Sequence, residues 1–313
     1  MTRIFGFGTA AVDFRISVAD FGPNYKAKLL AQNSRLYGGG AVANSLCQAA
    51  LLGAETQWLG KLGDDPIGRM IMTDLKQRGV GTDFVVIDRA AISPFNLAVY
   101  AGESRRRIGG FLLPNCMADI DDGDIDAFCA AIRPGDWCLV ELGELPISDV
   151  LAYCRKAKER KSSIMIDIDL DPIAQCECDP VHITDLFSTV DILMPNYEAM
   201  QTIYSGLSPK ELAARLLQDY GKLVVVTAGA DGCYYSDGGE VIREKPLKVE
   251  VADTVGAGDA FHGGFLWALS NGRELGEAAR VGNACGAANC RAFGAREGML
   301  DAVSLDRFMV REE

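Results

Sequence analysis

The residues best equipped for chemistry lie together in Val251-Ala252-Asp253-Thr254-Val255-Gly256-Ala257-Gly258-Asp259-Ala260-Phe261. Small residues at Gly256, Ala257 and Gly258 let the backbone turn tightly and bring its N–H groups close to a ligand. Phe261, Phe265, Leu266 and Leu269 follow at helical spacing, so a helix is expected to start at this turn. The N-terminus of a helix adds unpaired N–H donors and the positive end of a dipole, which suits an anion such as a phosphate. Asp259 falls in the first turn of that helix, where a carboxylate can accept the proton of a hydroxyl attacking phosphorus. A bare Gly-x-Gly before an acid is also an ordinary helix start, and the length of the whole string sets this one apart.

Other segments offer groups for binding. Asp13 follows the first strand in Gly8-Thr9-Ala10-Ala11-Val12-Asp13, where ligands of open α/β sheets sit, and its carboxylate can grip a pair of sugar hydroxyls. Gly38-Gly39-Gly40 precedes a helical run containing Asn44, combining close backbone approach with an amide that both donates and accepts. The same glycines also suit a hinge. Thr227-Ala228-Gly229-Ala230-Asp231-Gly232 ends an apolar strand, and the small residues of Gly282-Asn283-Ala284-Cys285-Gly286-Ala287 leave room for a flat base or a close helix neighbour. Arg105-Arg106-Arg107 reads as a solvated charge run, or as guanidinium donors (Arg107 the candidate) that reach over a cleft. Gly6-x-Gly8-x-x-Ala11 imitates a dinucleotide fingerprint, but a strand-like segment follows where that fingerprint needs a helix.

The elements that must position these groups alternate. Apolar runs at Ile4–Phe7, Trp137–Val140, Ile164–Ile168, Ile192–Met194 and Leu223–Thr227 read as buried parallel strands. Helical patterns fall at 41–52, 67–78, 125–132, 150–160, 209–220, 257–270 and 275–290. Ser208-Pro209-Lys210-Glu211 is a capping-box start with Pro at the first helical position. The pattern predicts a mostly parallel, Rossmann-like α/β sheet flanked by helices. Two stretches break it. Val12–Val18 with Leu29–Tyr37, and Ser93–Tyr100 with Arg106–Leu113, read as short alternating strands, the second pair joined by a turn at Gly102-Glu103-Ser104. They suggest a small β-sheet lid formed by about 11–38 and 91–113 on a single domain spanning 1–313, with the α/β core as the remainder.

The totals narrow the class. The chain has 313 residues, 49% hydrophobic and 24% charged, with a net charge of −12. That acidic balance opposes binding to nucleic acid or an anionic membrane. Ten cysteines are scattered without a Cys-x-x-Cys, Cys176 and Cys178 being the nearest pair, and neither His182 nor His262 has zinc-ligand spacing. Reduced, mostly buried thiols and the lack of a signal-like or membrane-length apolar run lead to an expected cytoplasmic location.

The Asp253–Phe261 string resembles the second signature of the ribokinase family, the PfkB-type carbohydrate kinases. Gly38–Asn44, continued by Leu52-Gly53-Ala54 and by Leu59-Gly60-Lys61-Leu62-Gly63-Asp64-Asp65-Pro66-Ile67-Gly68, resembles its N-terminal one. The resemblance runs from Asp13 to Gly294-Ala295 and implies an ATP-dependent sugar kinase with a ribokinase-like fold. On it, Asp259 is the base and Gly256, Ala257 and Gly258 form the anion hole. Asp13, Gly38, Gly39, Gly40 and Asn44 hold the sugar, while Thr227, Gly229, Gly232, Thr254, Asn283 and Ala287 hold the nucleotide. Mg2+ accompanies ATP, a monovalent cation such as K+ sits near Asp253 and Thr254, and the chain forms a homodimer through the lid.

One departure stands out. The family's Asn-x-x-Glu, whose Glu helps hold Mg2+ through water, is here Asn196-Tyr197-Glu198, so Glu198 would have to act with shifted geometry. The stretches 252–269 and 287–294 look most like ketohexokinase-type enzymes and favour a ketose. Ribose, a nucleoside or a 2-keto-3-deoxy acid stay open as substrates, and a sugar- or nucleotide-binding regulator without turnover is the alternative from another class.

Overall fold

The structure is a computed structural model that describes residues 3–19, 29–101, 106–113 and 116–312. A nine-stranded sheet forms its centre. The first strand, β1 (Arg3–Phe7), lies between β4 (Glu55–Gly63) and β8 (Trp137–Leu142), with β5 (Val80–Asp88) outside β4. On the other side the order continues through β9 (Ser163–Ile168), β10 (Ile192–Pro195) and β11 (Leu223–Thr227) to β12 (Cys233–Ser236) and β13 (Ile242–Glu244). From β5 to β11 every pairing is parallel, and the last two strands turn back as an antiparallel edge. The strand order reverses between β1 and β8, and ligands of such sheets collect beyond the carboxyl ends at that point.

Alternation along β1 shows how the layers pack. Phe5 and Phe7 point to one side and meet Phe128 and Tyr153 at ring distances of 5.3 and 5.0 Å. Gly6 faces the other side, where a Cβ would come within 2.6 Å of Leu46, so the helix α1 (Ala41–Leu51) can lie close against the strand. Beside α1 pack α7 (Ala257–Ser270) and α8 (Leu275–Asn289). A second group is formed by α3 (Asp122–Ala131), α4 (Ile147–Glu159) and α5 (Pro180–Thr189). Pro66–Gln77 forms α2, Pro209–Tyr220 forms α6 and Ala302–Glu312 forms α9. The capping box at Ser208 and Glu211 is present at the start of α6. Nothing in the sequence reading anticipates β4, β5, α5 or α9. In β4 the apolar run is broken by Gly60, Lys61 and Gly63, so its period-2 pattern is faint.

The two irregular stretches form a separate four-stranded sheet in the order β3 (Asn33–Gly39), β2 (Ala11–Val18), β6 (Phe95–Ala101), β7 (Arg106–Leu112). Residues 29–32 are not strand, and the turn expected at Gly102-Glu103-Ser104 lies outside the described residues. No strand-to-helix turn follows β1: β2 begins at Ala11, in accord with rejecting the dinucleotide fingerprint. No described helix is long and apolar enough to cross a membrane. Of the ten cysteines, all unpaired, seven are buried.

Candidate active site

The carboxyl ends of β1, β8, β9 and β10 open onto one cavity of about 410 Å3, whose opposite wall is the small sheet. Thr9 follows β1, Glu141 ends β8, Asp167 and Asp169 lie at the end of β9, and Asn196 follows β10. Pairing of β2 with β6 sets Asp13 opposite Asn96, and the period of 2 puts Arg15 and Tyr100 on the same face of the sheet. The Asn96 amide donates to Asp13 Oδ1 at 3.0 Å. Arg15 lies over the rings of Tyr37 and Tyr100 and forms an ion pair with Asp253, which precedes α7.

Helix α7 enters this cavity by its N-terminus. Gly256 precedes it with φ of +75°, a left-handed conformation that favours glycine, and no side chain caps the first turn. The Ala257 N–H turns back to Thr254 O at 3.2 Å, so the donors best placed for an anion are the N–H groups of Gly256 and Gly258 rather than all three expected. Asp253 braces the turn, accepting from Val255 N at 3.2 Å and Gly294 N at 3.1 Å.

Asp259 is 9% exposed and lines the cavity. Burial, then the nearby charges of Asp167 and Asp169, push its pKa up to about 7, while Asn44 and His262 pull against them. The Asn44 amide donates to Asp259 Oδ2 at 2.6 Å. Its orientation is fixed from behind by Arg296, whose Nε donates to Asn44 Oδ1 at 2.5 Å and whose Nη2 donates to Gly39 O at 2.6 Å. Arg296 is buried and also pairs with Asp74. Glu141, fully enclosed, accepts from Thr9 N at 2.7 Å and Thr9 Oγ1 at 3.1 Å, and burial holds it well above the usual carboxylate range. Asp169 is open to the cleft though ringed by protein, and it too is raised, by desolvation and by Asp167.

The glycines before α1 fill a tight space. Gly40 has φ of +92°, and a Cβ on it would lie 2.5 Å from Ala10 Cα. A Cβ on Gly39 would lie 2.6 Å from an Asp13 oxygen. Gly38 adjoins them at the end of β3, and Gly40 joins Asn44 in lining the cavity.

A second cavity of about 700 Å3 adjoins the first and brings together Thr227, Gly229, Gly232, Thr254, Asn283 and Ala287. The Asn283 amide donates to Lys245 O at 3.0 Å and so holds one rim in place. Asn196, Thr254 and Gly258 line both cavities.

One expected residue is not brought to the site. Glu198 is exposed on a short 3-10 turn and lines neither cavity; its N–H instead donates to Asn196 Oδ1 at 2.9 Å. Arg107 is on β7, but its side chain and all of Arg105 lie outside the described residues; among the described residues the guanidinium in the cavity wall is that of Arg15. Arg15, Asn96, Glu141, Asp167, Asp169 and Arg296 escape the sequence reading. An acid inside an apolar strand, as at Asp167, is the one signal that could have revealed part of this set.

A doubly wound α/β sheet with a small second sheet, and a buried carboxylate at a glycine-led helix N-terminus between two cavities, defines a class of phosphoryl-transfer folds. The sequence profile of the pfkB family carbohydrate kinases matches residues 1–302, and the chain belongs to that family. It is 26% identical over 302 residues to a ribokinase of Bacillus subtilis, covering 96% of each chain. It is 28% identical over 257 residues to a 5-dehydro-2-deoxygluconokinase of Bacillus licheniformis, covering 79% of each. The structure of Arabidopsis thaliana ribokinase complexed with ribose and ATP superposes with a TM-score of 0.84 at 21% identity, covering 99% of both chains, a likeness of fold. The protein is thus a carbohydrate kinase.

Proposed function

We propose that the protein transfers the γ-phosphoryl group of ATP to a hydroxyl of a neutral sugar, with Asp259 as the base. The observation that carries this reading is the place of Asp259: in the first turn of an uncapped helix, facing one cavity, with Gly258 beside it lining both. The sugar occupies the first cavity against Asp13, Asn44, Asn96 and the Gly38–Gly40 backbone. ATP occupies the second, its base near Asn283 and Ala287 and its phosphates directed towards Gly256 and Gly258. The cavity fits a nucleotide because its floor is built from small residues and its inner end is a helix N-terminus with free donors.

In the reaction the sugar oxygen bonds to the γ-phosphorus as the bond to the ADP oxygen breaks, and the hydroxyl proton passes to the Asp259 carboxylate. The Gly256 and Gly258 N–H groups stabilise charge on the transferring group. A divalent ion bound with ATP supplies further neutralisation of the phosphates. Asn196 is placed to hold its water shell, and Glu198 is not. A monovalent cation near Thr254 would rely on backbone carbonyls, since Arg15, Val255 and Gly294 already engage the Asp253 carboxylate.

The substrate cavity favours a ketose or ribose over a keto acid. Its described lining holds Asp13, Glu144, Asp167, Asp169 and Asp259 against Arg15, which Asp253 already offsets, while burial disfavours the charged form of Glu141. A carboxylate substrate would enter a field of its own sign. The small sheet closes the cavity and exposes Leu36 and Phe111 on the face turned away from Asp13 and Arg15, consistent with a homodimer through that sheet. Light scattering on Leu36→Asp tests this, with a monomer expected from the variant and a dimer from the parent.

The deciding experiment is ADP release from Mg-ATP across ketoses, aldoses, keto acids and nucleosides, with Asp259→Asn in parallel. Sugar-dependent turnover lost in the variant is expected. Binding of sugar or ATP without turnover in the parent would point to a regulator instead.

A further inference from the structure

The mechanism above leaves a buried pair beneath the base without a role. His262 follows Asp259 by three residues on α7, so both side chains emerge on one face of the helix. Asp167 faces them from β9. His262 Nδ1 lies 3.2 Å from Asp167 Oδ2, both residues are 1% exposed, and the polar atoms of Asp167, Asp259 and His262 all lie within 4.8 Å of one another. The contact is a close approach of a ring nitrogen and a carboxylate oxygen rather than an aligned hydrogen bond. Among the described residues none of the four polar atoms of Asp167 and His262 has a hydrogen-bond partner. Neutral groups left this way would be costly to bury, whereas opposite charges at this distance offset one another.

The surroundings decide the charge. Facing His262 are Asp167 and Asp169 from β9 and Asp259 from its own helix. Glu141 and Glu144 act on the same acidic cluster from β8 and the residues after it. Packed against α7, α1 contributes the uncharged Asn44, Ser45 and Gln48 with the buried Cys47 thiol, which desolvation raises. From α8 comes the Cys285 thiol, which burial pushes up to about 12. The charged groups of α8 turn elsewhere: Glu277 pairs with Arg273, and Arg280 acts on Glu244 and Tyr235. Burial is the largest single influence on His262 and favours the neutral ring, but the three carboxylates together outweigh it and raise its pKa.

We propose that His262, held as an imidazolium by Asp167, is a positioning residue whose charge keeps Asp259 ionised and so sets the pH range in which the kinase works. The inference rests on Asp259 being the base. His262 exchanges no proton in the step; the hydroxyl proton goes to Asp259. Without the imidazolium, Asp259 would face Asp167 and Asp169 with only Asn44 to favour its ionised form, and a protonated carboxyl cannot accept a proton.

The chain has two histidines, so the test can be read directly. The imidazole signals of His182 and His262 are followed by NMR against pH in the parent and in Asp259→Asn, with His182→Asn to assign them. Coupling between two sites is reciprocal, so removing the Asp259 charge must lower the His262 pKa, by at least about one unit. In a second arm, the kcat/KM profile of His262→Gln is expected to move its acid limb upward by about one pH unit. That means a roughly tenfold loss at pH 6 and near-parental rates at pH 9. A purely structural role would lower the rate by one factor at every pH. An unchanged His262 pKa in Asp259→Asn overturns the proposal whether or not the glutamine variant folds. If the parent phosphorylates no sugar, the kinase reading fails instead, and the NMR arm still decides whether the pair is coupled.

Discussion

Replacing Asp259 by asparagine should abolish turnover and, at the same time, make the protein more stable. The folded chain holds the Asp259 proton up to about pH 7, whereas an unfolded carboxyl releases it near 3.8. Between those values the folded state binds more protons, so the stability contributed by this group falls as pH rises and is at its lowest above pH 7. A shift of about three units corresponds to roughly 4 kcal/mol at full effect. The attraction to His262 is already contained in that shift, so the gain at pH 8 is up to about 4 kcal/mol. For a chain of 313 residues that is an increase of up to about 6 °C in Tm. The gain should shrink to about a quarter of that by pH 4.5, where the parental carboxyl is protonated when folded but still mostly ionised when unfolded. Differential scanning calorimetry of both proteins from pH 4.5 to pH 8 reads this directly. A Tm difference that is constant with pH, or a variant less stable than the parent at pH 8, would refute the linkage.

Two other outcomes follow from the packing around the site. Arg296→Met removes the donor that orients Asn44, leaves Gly39 O without its partner and leaves Asp74 to Arg78 alone. Because Asp74 is partly hydrated, a loss of about 2–3 kcal/mol is expected, read as a lower urea midpoint, with a fall in kcat. Ala287→Phe fills the second cavity and should raise KM for ATP tenfold or more while leaving KM for the sugar near its parental value, as steady-state kinetics would show.

The parts of the site that could be read in the sequence are those whose chemistry is local. Gly256 and Gly258 announce a tight turn, Gly40 needs a left-handed backbone, and the pattern after Asp259 shows the helix that follows. Parallel strands such as Ile164–Ile168 stand out because a strand buried on both faces is continuously apolar. The residues that escaped notice act across the chain. Asp167 meets His262 only because β9 and α7 converge, and Arg296 reaches Asn44 across a sequence separation of 252. Arg15 belongs to the cavity because β2 pairs with β6 in a particular register, which no local pattern specifies. Glu198 shows the opposite error: the residue type is present near Asn196, but the short 3-10 turn aims it at solvent.

The ion pair between Arg15 and Asp253 has a mechanical consequence. It ties the wall of the first cavity to the turn that leads into α7, and each side chain is about 10% exposed. Swinging the small sheet away from the main one must therefore separate two opposite charges that water and salt scarcely reach. Such a latch should hold about as firmly at 0.5 M salt as at 0.05 M, so stopped-flow rates of sugar entry should vary little with ionic strength, and Arg15→Gln should speed entry at both.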